Sequence, residues 1–196
     1  MRPPRPVTLE GRFVRLEPLG EQHRSDLEAA AAEDPSALRY MMTSLATHGW
    51  DAWWGEAAAG VAAGQYVAWA TVALDSGRAV GSTRFGDIDL PSERVEIGWT
   101  WLAPSRWRSA INSEAKLLQL TYAFDELDAG RVALKTDGRN ARSQAAIERL
   151  GAIREGVLRR HTRLPDGFIR DTVYYSILRD EWPPIRDRLR ARLYGS

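Results

Sequence analysis

The hydrophobic period of this chain becomes two over its middle part, and this change limits the available folds more than any other feature. Apolar and polar residues alternate over 66–74, 79–87 and 94–102, with a turn at Ser76-Gly77 and another near Pro91. Period two is typical of β-strands, and short turns join neighbouring antiparallel strands. The sequence therefore predicts an antiparallel meander.

Helices and further strands are predicted on both sides of this meander. An order in which helices and strands alternate around a meander favours an α+β fold. We therefore expect a mixed, mostly antiparallel central sheet flanked by helices on both faces. The other predicted elements are a strand pair within 8–19, helices at 21–33, 51–64, 113–127, 141–150 and 183–193, and strands at 131–136, 153–162 and 171–178.

The composition removes several classes of chemistry. A length of 196 residues suits one domain, and we expect 1–196 to form a single domain with a loose, Pro-rich arm at 1–6. The chain has no cysteine, which excludes disulfides, thiolate nucleophiles and cysteine-based zinc sites. Its three histidines, His23, His48 and His161, lack metal-ligand spacing, so no metal cofactor is expected.

Charge and hydropathy bear on partners and location. The formal net charge of +1 at pH 7 gives no support to a nucleic-acid role. No apolar run approaches about 18 residues, and the first residues lack the apolar segment of a signal peptide. We therefore expect a cytoplasmic protein that binds neither nucleic acid nor a membrane.

The junction between Trp101 and Ser113 is the first feature that indicates a binding site. The predicted strand ends at Ala103-Pro104, a loop spans 105–112, and a well-buried helix begins at Ser113. The first amides of a helix lack intrahelical partners and lie at the positive end of its dipole, so they attract phosphate. The junction predicts a diphosphate site. Arg106 and Arg108 add charge there, although simple solvation explains them equally well.

A second motif follows the strand predicted at 131–136. It reads Asp137-Gly138-Arg139-Asn140-Ala141-Arg142-Ser143 and leads into a helix that closes on Leu150-Gly151-Ala152. This order resembles the second half of the Gcn5-related N-acetyltransferase (GNAT) core, and 105–115 is similar to that family's pyrophosphate loop. The segments 9–16 and 156–178 resemble the subgroup of ribosomal-protein N-terminal acetyltransferases (RimJ/RimL-like). The resemblance therefore covers nearly the whole chain.

This resemblance implies a GNAT-like fold and acetyl-CoA as the acyl-donor substrate. In such enzymes the pantetheine lies like an additional strand between the strands here at 94–102 and 131–136. The main chain at Trp101, Leu102 and Ala103 is then expected to pair with it, and Asn140 to hydrogen-bond it. The other residues implied in cofactor binding are Trp107, Arg108, Ser109, Ala110, Ile111, Asn112, Ser113 and Arg142.

The phosphate loop departs from the family pattern Gln/Arg-x-x-Gly-x-Gly/Ala at both small positions. Ala110 and Asn112 stand there. Glycine lets the backbone approach a phosphate closely, alanine loses little of that freedom, and asparagine tolerates unusual backbone angles. We interpret the loop as a variant that still binds coenzyme A, and decayed binding as the alternative.

Acyl transfer from a thioester needs a base for the amine, a donor for the thioester oxygen and an acid for the leaving thiolate. Because the chain has no cysteine, an acyl-cysteine intermediate is impossible and direct attack in a ternary complex is favoured. Strand alternation places Glu96 on the same face as Leu102, which makes Glu96 the candidate base, directly or through water. The resemblance makes Ser143 the candidate proton donor to sulfur.

Each of these residues also has a structural interpretation. Asn140 and Ser143 occupy positions that cap a helix, and Glu96 is equally consistent with a salt bridge or a solvent-facing strand residue. Five tryptophans favour packing in the core or in an interface over a substrate lid: Trp50, Trp53, Trp54, Trp99 and Trp101.

The sequence predicts an acyl-CoA-dependent N-acyltransferase, with acetyl transfer to a primary amine as the first hypothesis. The acceptor stays open between a protein N-terminus and a small amine, and the acyl group between acetyl and a longer group such as succinyl. A catalytically silent acyl-CoA-binding sensor is the alternative. A nucleotide-binding protein is weaker, since no Gly-x-x-x-x-Gly-Lys-Ser/Thr motif is present. A homodimer through a sheet edge is consistent with the Trp-rich strands.

Overall fold

One mixed sheet organises the structure, a computed structural model that describes residues 1–41 and 45–195. Residues 42–44 and 196 of the predicted domain lie outside this described part. The strands are β1 (Leu9–Glu10), β2 (Val14–Pro18), β3 (Val67–Ala73), β4 (Arg78–Asp89), β5 (Arg94–Leu102), β6 (Arg131–Asp137), β7 (Ile153–Arg163) and β8 (Ile169–Leu178). Their order within the described residues is β1-β2-β3-β4-β5-β6-β8-β7. Neighbours are antiparallel, except that β5 and β6 are parallel.

Helices cover both faces of this sheet. They are α1 (Arg24–Ala32), α2 (Leu45–Ala62), α3 (Ile111–Thr121), α4 (Ala141–Leu150) and α5 (Trp182–Tyr194). On the α2 face, α1 and α2 bury Leu27 and Trp53 against the sheet. On the α3 face, α3, α4 and α5 contribute Leu120, Ile147 and Leu189 to the larger buried cluster. The predicted α+β fold, with a mixed, mostly antiparallel sheet between helices, is confirmed.

The boundaries of most elements follow the hydrophobic pattern. The meander is present as β3, β4 and β5, and the strands predicted at 153–162 and 171–178 pair as the antiparallel hairpin of β7 and β8. The helix predicted at 51–64 belongs to α2, which begins earlier and is interrupted at Gly49 (φ 78°, ψ 175°). Glycine adopts such angles without the steric penalty of a Cβ, so the helix can change direction there.

A β-bulge breaks the alternation of β5. Ser82 pairs with Trp101 and Arg84 pairs with Gly98, so Thr83 on β4 lies opposite two residues of β5, Trp99 and Thr100. Trp99 has a φ of 51°, in the left-handed region. An extra residue reverses which face the following side chains occupy.

The bulge makes the predicted grouping of the β5 side chains wrong. Leu102 packs on the α3 face together with Val95 and Ile97. Trp101 instead packs in the cluster of the α2 face, which is the face of Glu96 because Glu96 pairs with Gly86 of β4 two positions beyond Arg84. Glu96 and Leu102 therefore lie on opposite faces, since strict alternation holds only up to Gly98.

The tryptophans of α2 are part of the core on the α2 face. Trp53 is fully buried, stacks on Trp50 at 5.1 Å between ring centroids, and meets Trp101 edge-on at 5.5 Å. Trp50 and Trp54 are partly buried against the same cluster. This packing agrees with the interpretation of these residues as core. No helix in the described ranges is long and apolar enough to cross a membrane.

Candidate acyl-CoA site

Strands β5 and β6 separate from each other beyond Glu96. They pair in parallel only over 94–96 and 131–133. From there β5 continues along β4 to Leu102, and β6 continues along β8 to Asp137. Past the last pair, the facing edges of the two strands make no ladder to each other in the described part of the chain. Unpaired backbone groups of this kind can bind one extended chain, so the gap has the shape that the family resemblance implied.

A short loop carries the chain from the end of β5 into α3. Within it, the indole Nε1 of Trp107 donates to the carbonyl of Leu102 at 3.0 Å, and the hydroxyl of Ser109 donates to the carbonyl of Arg106 at 2.7 Å. Arg108 takes a φ of 61° and is exposed. These contacts fold the loop back on the strand end and direct it into the helix.

Helix α3 begins at Ile111, two residues before the predicted start at Ser113. Asn112 and Ser113 thus belong to the first helical turn and not to the loop. The first intrahelical bond of this turn runs from the amide of Glu114 to the carbonyl of Ala110 at 2.9 Å. Ala110 at the N-cap position has no capping side chain, and the amide of Ile111 donates to the Ser109 hydroxyl at 3.4 Å. The amides of Asn112 and Ser113 precede that bond and stay available to an anion.

Ala110 has φ −68° and ψ −20°, ordinary right-handed helical angles. Such angles suit any L-residue, so alanine at this position costs nothing in backbone strain. The departure from the family's glycine therefore leaves the geometry of the helix start intact.

The arginines around the loop have different surroundings. Arg106 forms an ion pair with Asp75 at 2.7 Å, on the side of the β3–β4 turn. The guanidinium of Arg142, at the start of α4, lies 3.5 Å from the ring centroid of Trp107. This cation–π contact brings the motif at 137–143 against the loop at 105–112, across the gap between β5 and β6.

Asn140 caps helix α4. Its carboxamide oxygen accepts a hydrogen bond from the amide of Ser143 at 3.1 Å, so the capping interpretation of this pair is correct. Both residues are partly exposed where β6 ends. The carboxamide nitrogen of Asn140 takes no part in the cap. A role of Asn140 and Ser143 toward a ligand stays a prediction.

Glu96 lies at the point where the two strands begin to separate. It is 3% exposed, and its carboxylate forms an ion pair with the Nζ of Lys135 at 2.7 Å. Burial raises the pKa of Glu96, and the attraction of Lys135 opposes that rise. A Cβ at Gly98 would meet the Glu96 carboxylate at 2.7 Å, so glycine makes room for it. The structure thus contains the salt bridge that was one of the two structural alternatives for Glu96.

A buried arginine lies on the same face of the sheet as Glu96, two positions along β4 from the residue that pairs with Glu96. Arg84 has a side chain with no exposed surface and forms an ion pair with Glu56 of α2 at 2.9 Å. Its guanidinium lies 5.5, 5.0 and 5.7 Å from the rings of Trp53, Tyr66 and Trp99. Burial lowers the pKa of Arg84, and the attraction of Glu56 opposes the change.

Sequence analysis did not identify Lys135, Arg84 or Glu56. Lys135 lies two residues after the strand position that pairs with Glu96, and thus on the same face, but this pairing is a tertiary feature that no local pattern reports. It is also one of only two lysines among 27 basic residues. Arg84 and Glu56 meet only because α2 packs on β4, which no local pattern reports.

The predicted cofactor residues come together around one gap. The end of β5, the loop and the first turn of α3 form one side, and the start of α4 forms the other. Within the described ranges, no group of three or more His, Asp or Glu side chains is arranged to hold a metal ion.

Comparison with known proteins identifies the family. The family model of the acetyltransferase (GNAT) domain matches residues 14–153. The chain therefore belongs to the GNAT acetyltransferase family, and the family predicted from the sequence is confirmed.

Individual relatives agree with this family. YdaF of Bacillus subtilis (strain 168), provisionally named a ribosomal N-acetyltransferase, is 35% identical over 109 residues, which are 56% of this chain and 58% of YdaF. The match thus spans less than two thirds of that relative. A solved structure provisionally named an acetyltransferase, from T. thermophilus, is 40% identical with a TM-score of 0.87 over 97% of this chain and 99% of that chain. Mycobacterium smegmatis RimJ in complex with CoA-disulfide has the same fold, at 24% identity and a TM-score of 0.83 over 98% of this chain and 97% of that chain.

Proposed function

We propose that this protein is an acyl-CoA-dependent N-acyltransferase that transfers an acetyl group from acetyl-CoA to a primary amine by direct attack in a ternary complex. The observation that carries the proposal is the gap between β5 and β6, with the open first turn of α3 at one end and the buried carboxylate of Glu96 at the other. Family membership supports the same reaction class.

Coenzyme A fits this gap in one direction. Its diphosphate would accept hydrogen bonds from the amides of Asn112 and Ser113, where the helix dipole is positive. Its pantetheine would follow the free edge of β5 near Leu102 and meet the amide donors of Asn140. RimJ, a protein of the same fold, was solved in complex with CoA-disulfide, which supports coenzyme A as the ligand to test. When bound, acetyl-CoA supplies the activated acyl group.

The proposed base is Glu96. A buried carboxylate with a raised pKa has a stronger affinity for a proton than an exposed one, so it can take the proton of an ammonium acceptor directly or through water. Burial lowers the pKa of Lys135, but the attraction of Glu96 and its hydrogen bond, together with Tyr174 and Asp87, outweigh burial, so the net pKa is raised and Lys135 stays cationic. Ser143 remains the proposed proton donor to the leaving thiolate.

The proposed acceptor enters from the α2 face, where Tyr66 is near both Glu56 and Glu96. Both carboxylates are ion-paired, Glu56 with Arg84 and Glu96 with Lys135, so their charge does not choose between a protein N-terminus and a small polyamine. The name of YdaF favours a ribosomal protein's N-terminus as the first acceptor to test.

The test is release of free thiol from acetyl-CoA in the presence of an amine panel. The panel holds peptides with a free N-terminal alanine or serine, spermidine, and the same peptides N-acetylated as matched controls. We expect thiol release with at least one free amine and none with the blocked peptides. Tight coenzyme A binding by calorimetry without turnover on any amine would favour a silent acyl-CoA-binding sensor instead.

We also propose a cytoplasmic, homodimeric protein in which 1–196 act as one domain. Both hydrophobic clusters pack on one continuous sheet, which supports a single domain.

Strand β7 is an edge strand with exposed apolar side chains at Ile153 and Leu158, a surface suited to pairing. Sedimentation equilibrium checks the dimer, and a single monomeric species at micromolar concentration would contradict it.

A further inference from the structure

Lys116 is the other of the two lysines in the chain, and it is buried. It projects from α3, is 4% exposed, and its Nζ donates to the hydroxyl of Thr83 at 2.8 Å, to the hydroxyl of Thr100 at 2.7 Å and to the carboxamide oxygen of Gln119 at 2.8 Å. All three partners are neutral oxygens. A buried amine usually needs a carboxylate, so a cluster of neutral acceptors around one nitrogen calls for a reason other than charge pairing.

The two hydroxyls mark the β-bulge of β5. Thr100 is one of the two bulge residues, Thr83 is the single residue of β4 opposite them, and their Oγ1 atoms lie 2.7 Å apart. A bulge leaves one residue without a ladder partner and weakens the sheet locally. Lys116 bridges both sides of that weak point with hydrogen bonds that the ladder does not supply.

The same side chain connects the bulge to the start of α3. Lys116 follows Asn112 by four residues, one helical turn, so its backbone lies about 6 Å along the axis from the amides at the helix start. Lysine suits this place better than arginine, because a compact ammonium on a flexible stem fits a small cluster of acceptors.

We propose that Lys116 is a positioning residue that fixes the bulge of β5 relative to the first turn of α3, and so sets where a bound thioester lies with respect to its diphosphate. The proposal rests on the proposed function for its catalytic consequence. The tie between helix and bulge, by which we mean the hydrogen bonds from Lys116 to Thr83 and Thr100, is a property of the free protein.

Burial lowers the pKa of Lys116 to about 7. A lysine amine donates three hydrogen bonds when charged and two when neutral. In either state, its N–H donors are what connect it to the oxygens of the cluster. Removal of the donors, with the volume kept, is therefore the informative change.

Lys116→Met removes the donors and Thr100→Val removes one acceptor at the bulge. Ser82→Ala is the matched control, because the Ser82 hydroxyl is buried on the same strand as Thr83 and donates to the carbonyl of Trp69 at 3.0 Å, outside the cluster. Hydrogen exchange of the free proteins is followed by mass spectrometry over 97–102. We expect both cluster variants to exchange about tenfold faster there than wild type, and the control to exchange at the wild-type rate.

Kinetics supply the second measurement. With acetyl-CoA and whichever panel amine the wild type acetylates, each cluster variant should lower kcat by about tenfold and leave the calorimetric affinity for coenzyme A within about threefold. The double variant should be no worse than either single one, since both break the same tie.

Unchanged hydrogen exchange over 97–102 in Lys116→Met would overturn the proposal. It would also be overturned if Lys116→Met lowered the melting temperature as much as the Ser82→Ala control does and left kcat unchanged. If Lys116→Met fails to fold, Thr100→Val decides, because it leaves the lysine in place. If wild type acetylates nothing, the proposed function fails, while hydrogen exchange still supports or overturns the tie.

Discussion

The carboxylate of Glu96 is subject to two opposing influences. Burial at 3% exposure raises its pKa, and the ammonium of Lys135 at 2.7 Å lowers it. The net pKa is raised, so the carboxylate holds a proton more readily than an exposed one would. Such a carboxylate serves as a base only after it has lost its proton. The reaction should therefore become faster as the pH rises.

At the scale of this residue, we expect kcat/KM to rise with pH through the pKa of Glu96, at a pH above the ordinary glutamate value of about 4.3. Glu96→Gln should lower kcat by about 10² to 10⁴ and remove this acidic limb. The measurement is a pH–rate profile with the amine found in the panel. Glu155→Gln is the control, since Glu155 pairs with Arg131 on the opposite side of β6 from β5. A variant profile that keeps both limb and rate would exclude Glu96 as the base.

Asn140 combines two roles that a suitable substitution separates. Its carboxamide oxygen caps α4 by accepting from the amide of Ser143 at 3.1 Å, while its nitrogen is the proposed donor to pantetheine. Aspartate caps a helix as well as asparagine does but has no amide donor.

Asn140→Asp should therefore keep the melting temperature and raise the KM for acetyl-CoA by about tenfold. Asn140→Ala should raise the KM similarly and also destabilise the protein by about 1 kcal/mol, because the cap is lost. Steady-state kinetics and thermal melting check the pair. If the two variants differ from wild type only in melting temperature, Asn140 is a cap and nothing more.

At the scale of elements, the start of α3 is the part most directly suited to a ligand. Ala110 occupies the N-cap position with helical angles and no side-chain cap, and this leaves the turn that follows open to an anion. A side chain placed here would project at the end of the helix without disturbing the sheet.

Ala110→Glu should abolish coenzyme A binding, through bulk and repulsion between its carboxylate and the diphosphate, without unfolding the chain. An acidic residue at a helix N-terminus is itself stabilising by about 0.3–1 kcal/mol, so the melting temperature should not fall. Calorimetry with coenzyme A measures the effect, and Ala110→Gly serves as the control that retains binding. Wild-type affinity in Ala110→Glu would refute this location for the diphosphate.

At the scale of the whole molecule, one buried carboxylate joins both ends of the chain to α3. Glu114 is fully buried and accepts from the amides of Arg12, Phe13 and Val14 at 2.9, 2.6 and 2.8 Å. It also accepts from the hydroxyl of Tyr194 at 2.7 Å. Burial and this hydrogen bond raise the pKa of Tyr194 to about 12. The helix that opens the proposed site is thus held by the first strands and by α5.

Glu114→Ala should destabilise the protein by about 3 kcal/mol, because it leaves three amides near the core without an acceptor. Tyr194→Phe removes a single hydrogen bond and should cost about 1 kcal/mol. Urea denaturation of both variants measures the difference. Equal losses in the two variants would mean that the amides of the turn find other partners.

Local patterns predicted most elements and the order in which they follow one another. The period-two meander, the buried helix near 113 and the helix closing at Gly151 follow from periodicity and capping, which act within a few residues. The family resemblance, added to these signals, singled out Ala110, Asn140 and Ser143 near the two helix starts that face the gap. These conclusions needed no knowledge of which strand lies beside which.

Side-chain faces beyond the bulge, and the partners of buried charges, were decided by tertiary structure alone. Alternation predicts which face a side chain occupies only along a regular strand. The extra residue at Trp99–Thr100 reverses the faces that follow, so Glu96 and Leu102 lie on opposite faces of the sheet. The meetings of Glu96 with Lys135, and of Lys116 with Thr83 and Thr100, join elements distant in sequence. The sequence by itself thus determined the elements and, to within two residues, the two helix starts, because their causes are local. Only the packed sheet determined which charges share a buried space, because desolvation and register depend on every neighbour at once.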